Sequence, residues 1–321
     1  MHSFQELSKQ FSDKFKLDHF PSQPQGLYEP AQYFLGIGGK RIRPIACLMS
    51  NELFGDIEND TWQIANALEL FHNFTLLHDD IMDEASLRRG KQTVHLRNGQ
   101  NTAILSGDVM LIRAYEYLND INFEILPVIF KLFNKTAKEV CEGQQYDMEF
   151  EKRENVAMDD YLRMIKLKTS VLLAASLEMG AIVGGATRNN CDRLYGFGKN
   201  LGIAFQIQDD YLDCFGDPAK FGKEVGGDIR RNKKTFLLIK AKEMVTGRQK
   251  EELDGLLAGD DEDKVERVLT IFRDCGIDMW AKELQKQYAD KAFQNLEDVV
   301  VVKARKKPLY DLAEYLLNRE Y

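Results

Sequence analysis

Hydrophobic positions along this chain recur at helical rather than strand spacing. Residues 4–17 place Phe4, Leu7, Phe11 and Phe15 three or four apart, the repeat of one helix face. Pro21 and Pro24 mark a turn, and 36–44 (GIGGKRIRP) reads as a loop leading into an apolar helix over 45–53. Residues 62–83 have almost no polar face. Ile64, Ala65, Leu68, Phe71, Thr75 and Leu76 cover most of the circumference, which predicts an enclosed central helix. A polar loop over 86–99 precedes a second buried helix over 102–118, with Ser106, Gly107 and Asp108 inside it. The pattern continues through 124–149 and 158–185, and the small apolar run SVLLAASLEMGAIVGG within the latter permits close helix–helix approach. A further central helix, 194–215, stops at Gly216-Asp217-Pro218.

Beyond it, 219–232 is a Gly- and charge-rich loop, followed by amphipathic helices at 234–246, 248–257, 261–275 and 278–299. A basic run over 303–307 precedes a last helix at 309–318. No stretch alternates convincingly, and Asn98-Gly99 and Asp254-Gly255 lack the flanking period-2 runs of a hairpin. The seven prolines, at 21, 24, 30, 44, 127, 218 and 308, leave long spans free for helices. The expected fold class is all-α: a single domain over 1–321, with two acidic helix ends facing across a central cavity.

Those acidic ends are the exception to the apolar pattern. The stretch 76–94 reads LLHDDIMDEASLRRGKQTV, with Asp79, Asp80 and Asp83 at i, i+1 and i+4. Carboxylates at this spacing share a helix face and repel one another unless a cation lies among them. Arg88 and Arg89 follow on the same rim. The combination suits a Mg²⁺-bridged phosphate, since Mg²⁺ takes one or two carboxylates plus phosphate oxygens and arginine forks take the remaining oxygens. The spacing occurs again in QIQDDYLD, as Asp209, Asp210 and Asp213. A lone DDxxD is compatible with a solvated helix face; two copies, each after an apolar helix and before basic residues, are not.

Composition narrows the field. A chain of 321 residues with 44% hydrophobic residues has material for a large core, and a net charge of −8 argues against nucleic acid as a partner. Cys47, Cys141, Cys191, Cys214 and Cys275 are odd in number and form no CxxC pair, which reads as reduced thiols in a cytoplasmic protein. The polar N-terminus MHSFQELSKQFSDKF is unlike a signal peptide, and no run of eighteen apolar residues predicts a membrane span.

Together, Gly38-Gly39-Lys40-Arg41-Ile42-Arg43-Pro44, the first DDxxD with Arg88-Arg89-Gly90, and QIQDDYLD followed by Gly222-Lys223 resemble the trans-isoprenyl diphosphate (polyprenyl) synthases, in that family's order over residues 25–240. The resemblance implies an all-α homodimer that joins isopentenyl diphosphate head-to-tail to an allylic diphosphate (dimethylallyl, geranyl or farnesyl) through a carbocation. It also implies about three Mg²⁺ ions per site. Asp79, Asp80, Asp83, Asp209 and Asp210 are implied as metal ligands, with Asp213 acting through water. Arg88, Lys168 and Lys223 match contacts to the allylic diphosphate, and Lys233 lies near a further one, in a loop one residue longer than in some members. Lys40, Arg43, His72 and Arg89 match contacts to isopentenyl diphosphate, and Thr169 and Gln206 match residues that face the carbocation. No protein base is needed, because the departing pyrophosphate takes the proton in this family. Alone, GGKRIRP is compatible with a solvated basic loop, and His72 with a core histidine.

Product length is expected to be set one and two helical turns before Asp79, since an isoprene unit is about one turn long, roughly 5 Å. Those positions are Leu70, Phe71, Phe74 and Thr75. In the family a bulky residue at the position of Phe74 resembles short-chain enzymes. Thr75 is small where eukaryotic farnesyl synthases carry a second aromatic, and the two-residue insertion of bacterial farnesyl synthases is missing. The expected product is geranylgeranyl diphosphate (C20), with farnesyl diphosphate (C15) as alternative. Terpene cyclases are disfavoured because their NDxxSxxxE-type motif is absent. An HD-type phosphohydrolase, brought to mind by His78-Asp79, needs further ligands, and the other histidines besides His72 are His2, His19 and His95. A non-catalytic regulatory subunit would carry a decayed motif, and none here is decayed.

Overall fold

The structure, a computed structural model, describes residues 1–15, 19–217, 225–259 and 261–318. Helices account for nearly all of its regular structure. In order they are α1 (Phe4–Lys14), α2 (Gln25–Gly36), α3 (Ile42–Glu52), α4 (Asn59–Met82), α5 (Val94–Asn98), α6 (Gln100–Asn119), α7 (Leu126–Lys152), α8 (Met158–Ile165), a π turn (Lys166–Ser170), α9 (Val171–Val183), α10 (Arg188–Phe215), α11 (Gly227–Arg230), α12 (Phe236–Met244), α13 (Gly247–Ala258), α14 (Lys264–Asp274), α15 (Ile277–Glu297) and α16 (Lys303–Leu317). The all-α expectation is met. No described helix is long and apolar enough to cross a membrane.

Three local expectations are corrected, and one helix stands where none was expected. Residues 25–36 form a helix despite Pro30, which had hidden it. The segment 86–99 is not only loop: Leu87–Arg88 pairs antiparallel with Lys91–Gln92, and α5 follows. Two-residue strands are too short to show any alternation. The helical run 158–185 is interrupted by the π turn. The basic run 303–307 lies inside the last helix, with Pro308 in its interior.

The described chain divides into two compact units. One comprises Met1–Lys135, Ala175–Tyr195 and Val299–Leu309; the other comprises Thr136–Ala174, Gly196–Asp298 and Tyr310–Tyr321.

In the first unit α4 packs on α3 and α6, and α2 packs on α6. Ile64, Ala65, Leu68, Leu70, Phe71 and Leu77 of α4 are buried, and so are the polar Glu69, Asn73 and Asp80. The small-residue run does what its composition predicts. A Cβ at Gly180 would stand 2.0 Å from the carbonyl oxygen of Cys47, so only glycine allows this helix to meet α3.

In the second unit the core gathers Tyr161, Ile207, Phe236, Leu253 and Phe272. Two glycines pin the π turn. A Cβ at Gly143 would lie 2.2 Å from Lys168 N, and one at Gly202 would lie 2.7 Å from Ser170 Cα. The turn thereby presents consecutive Lys168 and Thr169 on a widened stretch of helix.

Candidate active site

Within the first unit the acidic end of α4 and the Arg88–Lys91 ribbon form one cluster. Asp80 is buried, and its Oδ1 accepts from Arg88 Nε at 2.8 Å and from Arg88 Nη2. Arg88 Nη2 also lies 3.5 Å from Asp79 Oδ2. Asp79 is half-buried and Asp83, the C-cap residue of α4, is exposed. Burial raises the pKa of Asp80 above the usual carboxylate range, with Arg88 opposing that rise. For Arg88, burial disfavours its charge, but Asp80, Asp79 and Asp83 more than offset it, so its pKa is raised.

Arg88 and Arg89 diverge. The ribbon turns through Arg89 (φ 52°) and Gly90 (φ 73°), the left-handed pair that a two-residue hairpin requires. Arg88 then reaches Asp80, while the guanidinium of Arg89 lies over Gly39, where a Cβ would stand 2.6 Å from Nη1. Gly39 is required by its backbone at φ 147°, and its lack of a Cβ leaves room for the Arg89 guanidinium.

A second cationic group sits beside it. Arg43 Nη1 lies 2.9 Å from His72 Nε2. Burial holds the His72 pKa well below its ordinary value, and Arg43, Arg89, Arg41 and Arg88 push it the same way, so the ring is neutral. Burial lowers Arg43 itself to about 10, which leaves it cationic at neutral pH. Lys40 is exposed three residues before Arg43. Phe71 is enclosed, its ring 5.2 Å from Phe133 and 5.8 Å from Phe74. Phe74 and Thr75 are half-buried, and the Thr75 hydroxyl donates to His72 O at 2.8 Å.

In the second unit, Tyr161 donates its hydroxyl to Asp210 Oδ2, and Gln206 Nε2 donates to Asp210 Oδ1 at 2.9 Å. Thr169 Oγ1 donates to Gln206 Oε1 at 3.1 Å, so Tyr161, Asp210, Gln206 and Thr169 form one chain. Burial pushes Asp210 up to about 7. Lys168 Nζ donates to Asp147 Oδ2 at 2.7 Å. Lys233 loses some basicity to burial but gains more from Asp228, Asp210 and Asp147, which raise its pKa. Asp213 Oδ2 accepts the backbone N–H of Asp228 at 3.0 Å and ties down the loop that carries Lys233. Asp209 is half-buried one residue before Asp210. Lys223 lies outside the described residues.

Among the described residues, no three acidic, histidine or cysteine side chains form a ready metal cage. Mg²⁺ bound with a diphosphate needs only one or two carboxylates from the protein. Asp80 Oδ2 fits that need: it is a buried acceptor with no hydrogen-bond partner.

Residues 24–275 match the model of the polyprenyl synthetase family. The chain belongs to that family. It is therefore a prenyltransferase. This polyprenyl synthetase is 39% identical over 303 residues to a geranylgeranyl pyrophosphate synthase of Geoglobus acetivorans, covering 93% of this chain and 92% of the relative. It is 34% identical over 318 residues to a geranylfarnesyl diphosphate synthase of Natronomonas pharaonis, covering 93% and 92%. A crystal structure of a geranylgeranyl pyrophosphate synthase superposes with a TM-score of 0.94 at 44% identity over 100% of both chains.

The sequence alone gives no role to Arg41, which it shows only as part of the Gly38–Pro44 motif, nor to Glu69 and Asn73 in the first unit of this polyprenyl synthetase or Asp147, Tyr161 and Asp228 in the second. One signal was available: Glu69 stands in the otherwise apolar run ALELF, where an acid is costly without a partner.

Proposed function

We propose that this enzyme condenses isopentenyl diphosphate with allylic diphosphates and releases geranylgeranyl diphosphate. One observation carries the reading. The first unit holds two unlike anion-binding groups side by side, one rich in carboxylates (Asp79, Asp80, Asp83 with Arg88) and one of cations, Arg43 and Arg89 near neutral His72 with Lys40 three residues before Arg43. A carboxylate-lined group takes a diphosphate only together with a metal, while a cationic group takes one directly. Two diphosphates held in these different ways fit a leaving allylic diphosphate and a retained isopentenyl diphosphate.

Asp79, Asp80 and Asp83, and in the second unit Asp209 and Asp210, would hold Mg²⁺. When bound, Mg²⁺ neutralises the negative charge of the departing diphosphate. Arg88 in the first unit adds fixed positive charge for an allylic diphosphate; Lys168 and Lys233 in the second unit, and Lys223 from the sequence pattern, match family contacts to such a diphosphate. Asp147 orients Lys168, and Asp213 holds the Lys233 loop in place. Thr169 and Gln206 turn dipoles toward developing positive charge, and the Tyr161 and Asp210 bonds keep the Gln206 amide oriented.

We read the whole chain, 1–321, as one polyprenyl synthase domain, because the family match runs through both compact units. A homodimer is supported by Leu105 and Ile112 of α6, seven residues apart on one helix face and 55% and 58% exposed. Five free cysteines support a cytoplasmic setting.

Chromatography of products made from labelled isopentenyl diphosphate with each allylic primer tests the reading. The expected product is C20, formed with Mg²⁺ and not in chelator. Mainly C30 or longer material overturns the assignment of product length, and C15 or C25 material assigns the enzyme to a neighbouring length class.

A further inference from the structure

Arg41 adopts a left-handed backbone (φ 51°, ψ 35°) as the N-cap of α3, a conformation rarely taken by a residue other than glycine. Its side chain explains why it stays there. Nη1 donates to Glu69 Oε1, Nη2 donates to Leu35 O at 2.8 Å, and the guanidinium carbon lies 5.0 Å from the Phe15 ring centroid. Both partners of the ion pair are nearly enclosed, with side-chain exposures of 11% for Arg41 and 4% for Glu69. Asn73 Nδ2 donates to the same Glu69 Oε1 at 2.6 Å and to Glu69 O at 2.8 Å, so the acceptor of Arg41 is held by a second donor.

Glu69 and His72 lie three apart on α4, so they face the same loop. Lys40 in that loop and Arg43 in the first turn of α3 lie on either side of Arg41 in sequence. Arg41 turns inward to Glu69, Arg43 turns to His72, and Lys40 is exposed. Gly38 (φ 89°) and Gly39 (φ 147°) give the loop no rigidity of its own. The buried anchor therefore sets where its cations stand. Glu69 also favours the charged forms of Arg43 and Arg89, as the carboxylate facing this group of arginines.

We propose that Glu69 is a positioning residue for isopentenyl diphosphate: through Arg41, and braced by Asn73, it holds the 38–41 loop and the first turn of α3 so that Lys40 and Arg43 meet the diphosphate. The proposal rests on the reading of Lys40, Arg43 and Arg89 as the isopentenyl diphosphate contacts. Glu69 itself touches no substrate. A merely structural ion pair would change stability without favouring one substrate over the other.

The test compares Michaelis constants for isopentenyl diphosphate and for geranyl diphosphate. Glu69→Ala and Arg41→Ala should each raise KM for isopentenyl diphosphate about tenfold or more, with KM for geranyl diphosphate changed less than about threefold. The double variant Glu69→Ala/Arg41→Ala should be no worse than the poorer single variant, because the pair acts as one unit. Additive effects, or equal rises for both substrates, overturn the proposal.

Either single variant leaves a buried charge unpaired and can fail to fold. Glu69→Leu/Arg41→Met removes both charges while keeping the apolar volume. It should melt near the wild type and still show the raised KM for isopentenyl diphosphate, and an unchanged KM overturns the assignment. If the wild type forms no prenyl product from the two substrates, the proposed function itself fails. If the wild type is active and the variants bind isopentenyl diphosphate normally, only the role of Glu69 fails.

Discussion

Arg43 approaches His72 nitrogen to nitrogen, Nη1 to Nε2, at 2.9 Å. A guanidinium can only donate, so Nε2 accepts and the ring carries its proton on Nδ1. The histidine is held neutral by burial and by the arginines around it, with its pKa well below the ordinary 6.5.

This relationship predicts a pH dependence. In the unfolded chain His72 takes a proton below about pH 6.5, while in the folded chain it resists protonation. Stability from this site is fully present above pH 6.5 and is lost as pH falls below it toward the depressed folded pKa. The slope approaches about 1.4 kcal/mol per pH unit for one proton. Denaturant melts from pH 8 to pH 5 should show this fall in the wild type and a shallower one in His72→Gln. Parallel curves for the two proteins would show that another group is responsible.

Phe71 and Phe74 should separate packing from product length. Phe71 is 1% exposed and enclosed by Phe74 and Phe133, so Phe71→Ala should cost about 3–5 kcal/mol in denaturant melts. Phe74 is half-buried, and Phe74→Ala should cost less and lengthen the product by one or more isoprene units. An unchanged product from a folded Phe74→Ala enzyme would move the floor elsewhere, with α6 the next place to look.

The divergence of Arg88 and Arg89 predicts different kinetic phenotypes. Lysine keeps the charge and loses the fork, which costs on the order of 1.5–3 kcal/mol at a bidentate site. Arg89→Lys should raise KM for isopentenyl diphosphate roughly ten- to a hundred-fold. Arg88→Lys should act on the allylic substrate and on kcat, and it also removes the fork that Asp80 accepts. Equal effects of both substitutions on both substrates would show one undivided field of positive charge.

Leu105 and Ile112 test the dimer. Sedimentation of the wild type should show two copies, and Leu105→Asp/Ile112→Asp should shift it toward monomer with the helical signal retained, because buried carboxylates at an apolar contact are costly. A wild type that sediments as monomer at micromolar concentration would remove the homodimer.

What the sequence by itself determined is the set of periodic and charged patterns. Helical spacing in α4, α6 and α10 was legible because an apolar face repeats whatever it packs against. The two acidic triplets were legible because charge at the end of an apolar helix needs a partner. Helix α2 was obscured by Pro30, and the ribbon at Leu87–Gln92 by its two-residue strands. The π turn rests on backbone approaches by Gly143 and Gly202, neither near it in sequence. Only tertiary structure decided that Asp80 is taken by Arg88, that Asp147 holds Lys168, and that Arg41 turns inward to Glu69 while its sequence neighbours Lys40 and Arg43 do not. The physical reason is that a charged side chain's role depends on which opposite charge it meets at short range in low dielectric, and folding brings together residues as far apart in sequence as 41 and 69.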